Sequence, residues 1–183
     1  MNAPASVLPK DLIAASAKKL FSTHGFAGVT VRAIAGDAGV DPSLVIRHFG
    51  SKESLFLEVL GLDRYVLPPI EGPLDTLGRR LAEFVLSSEQ EEFRSHMATL
   101  VRASDREAIR EGLQLSVRRL FIDGLIEVLP GRDREVRAQL IMAQLGGAVQ
   151  SSQSIEDEVL TRVSRDRLIE LYGRAVQTLV ETD

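Results

Sequence analysis

The chain has no cysteine, so neither a disulfide framework nor a thiolate metal site is available to it. Its three histidines, His24, His48 and His96, include no pair at metal-ligand spacing. There is no Gly-rich phosphate loop and no nucleophile elbow. No apolar run approaches the roughly 20 residues that a membrane helix needs. The opening MNAPASVLPK lacks the hydrophobic core of a secretion signal and reads as a loose arm, so a cytoplasmic location is expected. The acidic run Glu156-Asp157-Glu158 is contiguous, so its carboxylates cannot converge on one helix face; a solvated loop is expected there. Strand-like alternation is almost absent as well. These absences weigh against a catalytic, metal-binding or cofactor-binding role, and none of the three is expected.

What is present is ordinary for a soluble domain of this size: 183 residues, 44% hydrophobic and 26% charged. The net charge of -4 is unevenly spread. Residues 1–64 hold seven basic and six acidic side chains, the remainder fifteen basic and twenty acidic, and all four lysines lie at or before Lys52. The excess of positive charge at one end and of negative charge over the rest suggests an N-terminal part that faces a polyanion.

Helical periodicity recurs along the whole chain. A first helix is expected over Pro9–His24, burying Ile13, Ala17, Leu20 and Phe21 and ending at Gly25. Thr30 then caps a short helix with Val31, Ile34 and Ala35. In the stretch IAGDAGVDPSLVIRHFGSK from Ile34 to Lys52, Gly39 stands where that helix must end and the chain must turn. Asp41 is placed to cap the next helix, and Pro42 suits its first position. Val40 and Val45 are spaced to bury against Ile34, leaving Pro42, Ser43, Leu44, Arg47 and His48 outward. Ser51 caps a longer connecting helix through Leu55, Phe56, Val59 and Leu62, reaching Leu67. Three prolines and a glycine within Pro68–Pro73 end it. Beyond lie expected helices at 75–87, 91–102, 105–129, 133–152 and 164–182, with Ser104 and Glu107 matching a capping box.

The string Ile13…Ala17…Leu20-Phe21…Gly25-Phe26…Thr30-Val31…Ile34-Ala35…Ala38-Gly39-Val40…His48-Phe49…Ser51-Lys52-Glu53…Leu55 resembles the tetracycline-repressor (TetR) family of bacterial regulators. It covers roughly residues 9–60. The resemblance implies an all-α protein, with an N-terminal three-helix helix-turn-helix domain joined to a C-terminal helical bundle that pairs two copies through a four-helix interface. The expected domains are 7–67 for DNA binding, with the connecting helix, and 74–183 for ligand binding and dimerisation. Two positions depart from the family pattern: Ile46 stands where an aromatic is common, and Ser43 where a small residue is frequent. Ile46 cannot donate a hydrogen bond to a phosphate.

The expected DNA-binding residues are Thr30, Val31, Arg32, Pro42, Ser43, Leu44, Arg47, His48 and Lys52. Arg47 is suited to bidentate reading of guanine, Pro42 and Leu44 to thymine methyls or sugars, and Thr30, Arg32, His48 and Lys52 to phosphates. Lys10 or the arm before it is a candidate for the minor groove. In the last two helices Val136, Leu140, Ala143 and Gly147, and Leu168, Leu171, Tyr172, Ala175 and Leu179, form apolar stripes beside a second stripe on each helix. Two stripes imply burial on two sides, hence a homodimer interface. Gly146-Gly147 suit close helix approach there. Phe84, Phe93, Met97, Leu100, Leu115, Phe121 and Met142 are candidates to line a pocket for an unidentified small-molecule effector, with His96, Arg102 or Gln144 as polar tips. The function expected is a DNA-binding regulator, a ligand-responsive repressor on a palindromic operator. A small helical enzyme and a helical interaction module without operator binding remain the alternatives.

Overall fold

A computed structural model describes residues 8–65, 68–154 and 162–182. The N-terminal arm before Leu8, the expected helix end at Leu67 and the run Glu156–Glu158 lie outside the described residues. Among the described residues there is no strand, and no helix is long and apolar enough to cross a membrane. The helices are α1 (Pro9–His24), α2 (Val31–Ala38), α3 (Pro42–Phe49), α4 (Lys52–Leu60), α5 (Leu77–Leu86), α6 (Glu91–Arg102), α7 (Glu107–Val117), α8 (Asp123–Val128), α9 (Arg134–Ser154) and α10 (Arg165–Glu181).

The chain packs into two compact units. The first contains the residues up to Gly61 together with Thr99–Leu113; the second contains Leu62–Ala98 and Gln114 to the end. The division differs from the expected break in the proline-rich segment. Within the first unit α7 touches α4 at Gly112: a Cβ there would lie 2.7 Å from Leu57 Cδ1, so the glycine lets the leucine side chain in against the helix backbone. A turn of α6 and most of α7 belong with the N-terminal helices.

In the first unit, α1 ends as expected at Gly25, whose φ of 66° is open to glycine. The Phe21 ring meets Phe56 edge-on at 5.0 Å, and Phe26 meets Phe56 at 5.1 Å. Phe21 and Phe56 are fully buried, as are Ile13, Ala17, Ile34, Val45 and Leu55. Two sequence expectations fail here. The connecting helix stops at Leu60: Gly61 is extended, and a separate 3-10 turn (Leu62–Arg64) follows. The Ser104–Glu107 capping box does not form, because α7 starts at Glu107 and the Ser104 hydroxyl turns back to donate to the Val101 carbonyl at 2.7 Å.

The second unit is built on α5, α9 and α10. Gly78 and Gly173 let α5 and α10 touch backbone to backbone. A Cβ on Gly78 would strike the Gly173 carbonyl oxygen and come within 2.6 Å of the Gln177 amide nitrogen. Gln177 locks this crossing: its Oε1 accepts from the Gly78 amide at 2.8 Å and its Nε2 donates to the Leu74 carbonyl at 2.8 Å. A π-helical turn, Arg118–Ile122, joins α7 to α8, so the expected single helix over 105–129 carries a bulge. Gly146 and Gly147, expected at a close approach, have nothing within 4 Å of a notional Cβ among the described residues.

Alanine for glycine in a helix ordinarily stabilises by about 0.5–1 kcal/mol. At Gly78 the sign should reverse. Gly78→Ala is expected to lower unfolding stability by about 1–3 kcal/mol, because backbone atoms rather than movable side-chain ends must shift. A urea-unfolding midpoint at or above that of the parent chain would contradict this account of the crossing.

Candidate nucleic-acid interface

The reading head is set by three local caps and one turn. The Thr30 hydroxyl accepts from the Ala33 amide at 3.1 Å and starts α2. Gly39 ends α2 in the left-handed region (φ 68°, ψ 32°), and the Val40 amide returns to the Ala35 carbonyl at 3.0 Å. Asp41 Oδ1 accepts from the Ser43 amide at 2.8 Å, with Pro42 at the first helical position of α3. The Ser43 hydroxyl and amide together hold the Asp41 carboxyl below the usual carboxylate range. The Ser51 hydroxyl accepts from the Ser54 amide at 3.0 Å and starts α4. Lys19 pairs with Asp37 at 2.8 Å, tying α1 to α2.

These constraints turn one side of α3 into the core and the other to solvent. Val45 and Phe49 are buried; Pro42, Ser43, Ile46, Arg47 and His48 are exposed, and Leu44 is half-buried. At the start of α2, Thr30 and Arg32 are exposed and Val31 half-buried. Among the described residues Arg32 and Arg47 have no ion pair or hydrogen bond, so both guanidinium groups are open to an outside acceptor. Ile46 is 46% exposed, an apolar side chain in the middle of this face. His48 keeps its exposure while its ring lies 6.4 Å from that of Phe49. Lys52 is half-buried, with its ammonium 4.0 Å over the Phe26 ring. Burial is the largest influence on it and pulls its pKa below the usual lysine value, against the opposing pull of Glu53. Lys10 is not extended toward a groove: it pairs with Glu58 at 2.9 Å and lies over the Phe49 ring at 5.3 Å.

The other candidates fall in the second unit, except Leu100 and Arg102, which fall in the first. Phe93 and Phe121 are buried with Met97 and Leu100, whereas Phe84 and Met142 are half-buried. Phe84, Phe93 and Phe121 lie 5.8–6.3 Å from one another and fill the space between themselves. Leu115 does not join them; at 64% exposed it cannot line an interior pocket. His96, 3% exposed, is held by the Tyr65 hydroxyl at 2.6 Å from Nδ1. Burial first, then Glu92, push the Tyr65 phenol above its usual pKa. Arg102 is exposed and donates to the Thr99 hydroxyl at 3.0 Å. Gln144 Oε1 is buried with no hydrogen-bond partner among the described residues. Tyr65 was missed in the sequence because only the fold brings it to His96.

On α9 and α10 the two stripes separate cleanly. Ile141, Leu145, Ala148, Ile169, Val176 and Val180 are buried. The other stripe faces solvent: Val136 is 57%, Leu140 47% and Leu171 44% exposed, with Ala143, Gly147 and Ala175 exposed and Leu168, Tyr172 and Leu179 half-buried.

Residues 13–59 match the family described as bacterial regulatory proteins, tetR family, and residues 75–180 match the tetracyclin repressor-like C-terminal domain. A TetR-family regulator from Streptomyces coelicolor A3 is 28% identical, with coverage of 100% of this chain and 99% of that one and a TM-score of 0.62. A transcriptional regulator from Rhodococcus sp. Rha1 has a TM-score of 0.71 at 22% identity, over 96% and 97% of the two chains. NalD, the secondary repressor of the MexAB-OprM multidrug efflux pump in Pseudomonas aeruginosa, shares the fold with a TM-score of 0.61 at 22% identity, over 91% and 95%. The HTH-type transcriptional regulatory protein RaaS of Mycobacterium tuberculosis is 66% identical over 35 residues, 19% of this chain and only 16% of its own length. With both segments matched in order, the chain belongs to the tetracycline-repressor family of DNA-binding transcriptional regulators.

Proposed function

We propose that this regulator is a homodimeric, effector-responsive repressor that acts in the cytoplasm, without a catalytic role, by laying α3 of each copy in the major groove of a palindromic operator. The observation that carries the reading is the outward face of α3, where Arg47 stands unpaired beside Pro42, Ser43 and Ile46. A guanidinium with no internal partner can bind guanine O6 and N7 in bidentate fashion, and the apolar neighbours suit thymine methyls. Arg32, His48 and Lys52 border that face and hold phosphates; the amides at the starts of α2 and α4 add to them. Lys52 reaches its phosphate from the Phe26 ring, which fixes its direction at little cost in charge.

The outward stripe of α9 and α10 supports pairing of two copies. Exposed leucine and valine in register along two packed helices form a patch that a monomer would leave in water. Two heads joined by symmetry would meet half-sites about one helical turn apart, roughly 34–36 Å. The buried Gln144 side-chain oxygen supports an effector that donates to it, since a buried acceptor without a donor costs about 1–3 kcal/mol.

Fluorescence anisotropy on the DNA upstream of the chain's own gene tests the head. Arg47→Ala should cost about 1–3 kcal/mol on the specific site and relax its base preference, while Lys52→Gln should weaken all sequences alike and reduce the salt slope by about one. Equal losses on specific and random DNA for Arg47→Ala would remove its base-reading role. For the dimer, sedimentation should give two copies at micromolar concentration, and Leu140→Glu with Leu171→Glu should give a folded monomer; a parent chain that sediments as a monomer rejects the pairing. Gln144→Met should stabilise the effector-free protein by about 1 kcal/mol. Loss of stability in urea on that change would mean the carbonyl is already satisfied.

A further inference from the structure

The segment from Pro68 to Pro73 in the second unit lies between two grooves. One has a volume of about 380 Å³ and is walled by Pro69, Ile70, Leu120 and Val128, with Glu71, Glu127 and Arg119 as its charged members. The other, about 470 Å³, is bordered by Arg80, Glu83, Phe84 and Glu89 and shares only Pro69 with the first. Both volumes fall within the range of small-molecule sites. The two arginines are committed elsewhere. Arg119 is ion-paired with Asp63. Arg80 donates to the carbonyls of Pro69 (3.2 Å), Ile70 (3.3 Å) and Pro73 (2.6 Å), which staples the segment in place. Glu71 and Glu127 have no ion pair or hydrogen bond among the described residues.

The smaller groove has the more definite construction. The π-helical turn Arg118–Ile122 forms part of its wall, and a π-turn widens the helix by one residue where it occurs. Gly124 touches the strap: a Cβ there would lie 3.0 Å from Ile70 Cδ1, so the glycine lets Ile70 down against α8. The result is a cleft of aliphatic and proline surface bordered by two exposed, unpaired carboxylates and, among the described residues that line it, no unpaired cation. A neutral apolar guest would leave the carboxylates beside a dry surface, and an anion would be repelled. An organic cation satisfies both, because its body covers the apolar wall and its charge replaces the water lost around the carboxylates.

We propose that the groove between Pro69-Ile70 and the Leu120–Val128 stretch binds an organic cation with a largely apolar body, its charge held by Glu71 and Glu127. The site deepens the effector-responsive reading and rests on it for its regulatory consequence, but binding itself is measured without DNA. Equilibrium dialysis of the full chain with tetraphenylphosphonium, against tetraphenylborate as a body of the same shape and opposite charge, reads the site directly. The phosphonium is expected to bind, and the borate to bind at least about tenfold more weakly. The pair Glu71→Gln and Glu127→Gln should weaken the phosphonium by about tenfold or more, while Glu83→Gln with Glu89→Gln, across the strap, should change it by less than about twofold. No phosphonium binding, equal binding of the borate, indifference to the Glu71 and Glu127 changes, or a loss that follows Glu83 and Glu89 would each overturn the assignment. Operator affinity in the same preparations keeps the two readings apart. Operator binding without phosphonium binding rejects the groove alone, and phosphonium binding without operator binding rejects the repressor reading alone.

Discussion

The structure depends on making two eight-residue helices rigid. Helices shorter than about 12–15 residues do not hold their shape in water, since each must bear a nucleation cost for few internal hydrogen bonds. α2 and α3 have eight residues each, and their orientation is the whole means by which Arg47 faces outward. Support comes from both ends and from below. Thr30 and Asp41 satisfy amides that the helices leave open, Gly39 sets the bend, and Ile34 and Val45 are driven to zero exposure against α1 and α4. The Phe21–Phe26–Phe56 cluster closes the base, and the same Phe26 ring carries Lys52. A defect in that cluster would therefore reach the nucleic-acid face without any change to a residue on it.

Local physics made the head legible in the sequence. Caps, a glycine turn and an apolar period each involve residues within five positions of one another, so Thr30, Gly39, Asp41, Pro42 and Ser51 all stand where their chemistry required. The same logic failed when a competing partner lay nearby. Ser104 had a capping-box pattern with Glu107, yet its hydroxyl found the free Val101 carbonyl at the end of α6 first. Lys10 had the sequence position of a groove-reaching arm, yet Glu58 and the Phe49 ring lie closer. Pocket residues were the least legible, because walls are assembled from distant segments. Phe84, Phe93 and Phe121 share an apolar character with pocket linings and turn out to fill one another's space. Pro69, Glu71 and Glu127, which border an actual groove, carry no sequence signal that joins them.

Two buried arginines explain how the second unit closes without interior carboxylates to match them. Arg137, 4% exposed, donates to the carbonyls of Leu179 (3.3 Å), Val180 (3.2 Å) and Thr182 (2.6 Å), and to those of Pro130 and Arg132. The last carbonyls of α10 lack helical partners, and the negative end of its dipole lies there, so a guanidinium satisfies both needs at once. Arg94 does the same for α5, donating to the Val85 and Ser87 carbonyls while Glu91 pairs with it. Periodicity places Arg137 beside exposed Val136, and nothing in that pattern marks it as interior; its role comes from a helix end more than forty residues away.

The glycines of the helical bundle separate what one copy needs from what it leaves open. A glycine inside a helix costs about 0.5–1 kcal/mol relative to alanine. At Gly78 and Gly173 that cost is offset within the chain, because a Cβ on Gly78 would overlap the backbone of α10 and one on Gly173 would press the Arg79 Cα at 3.0 Å. At Gly146 and Gly147 no described residue lies within 4 Å of a notional Cβ, so the described part of one copy gains no contact from the missing side chains. Gly147 sits on the same outward stripe as Leu140 and Ala143, among side chains that the fold leaves in solvent. A helix from a second copy, laid along that stripe, is the neighbour that would make those glycines useful, and it would cover exposed leucine and valine in the same act. The smallest and the largest apolar residues of the stripe thus call for the same covering surface, one through the backbone it can approach and the other through the water it would displace.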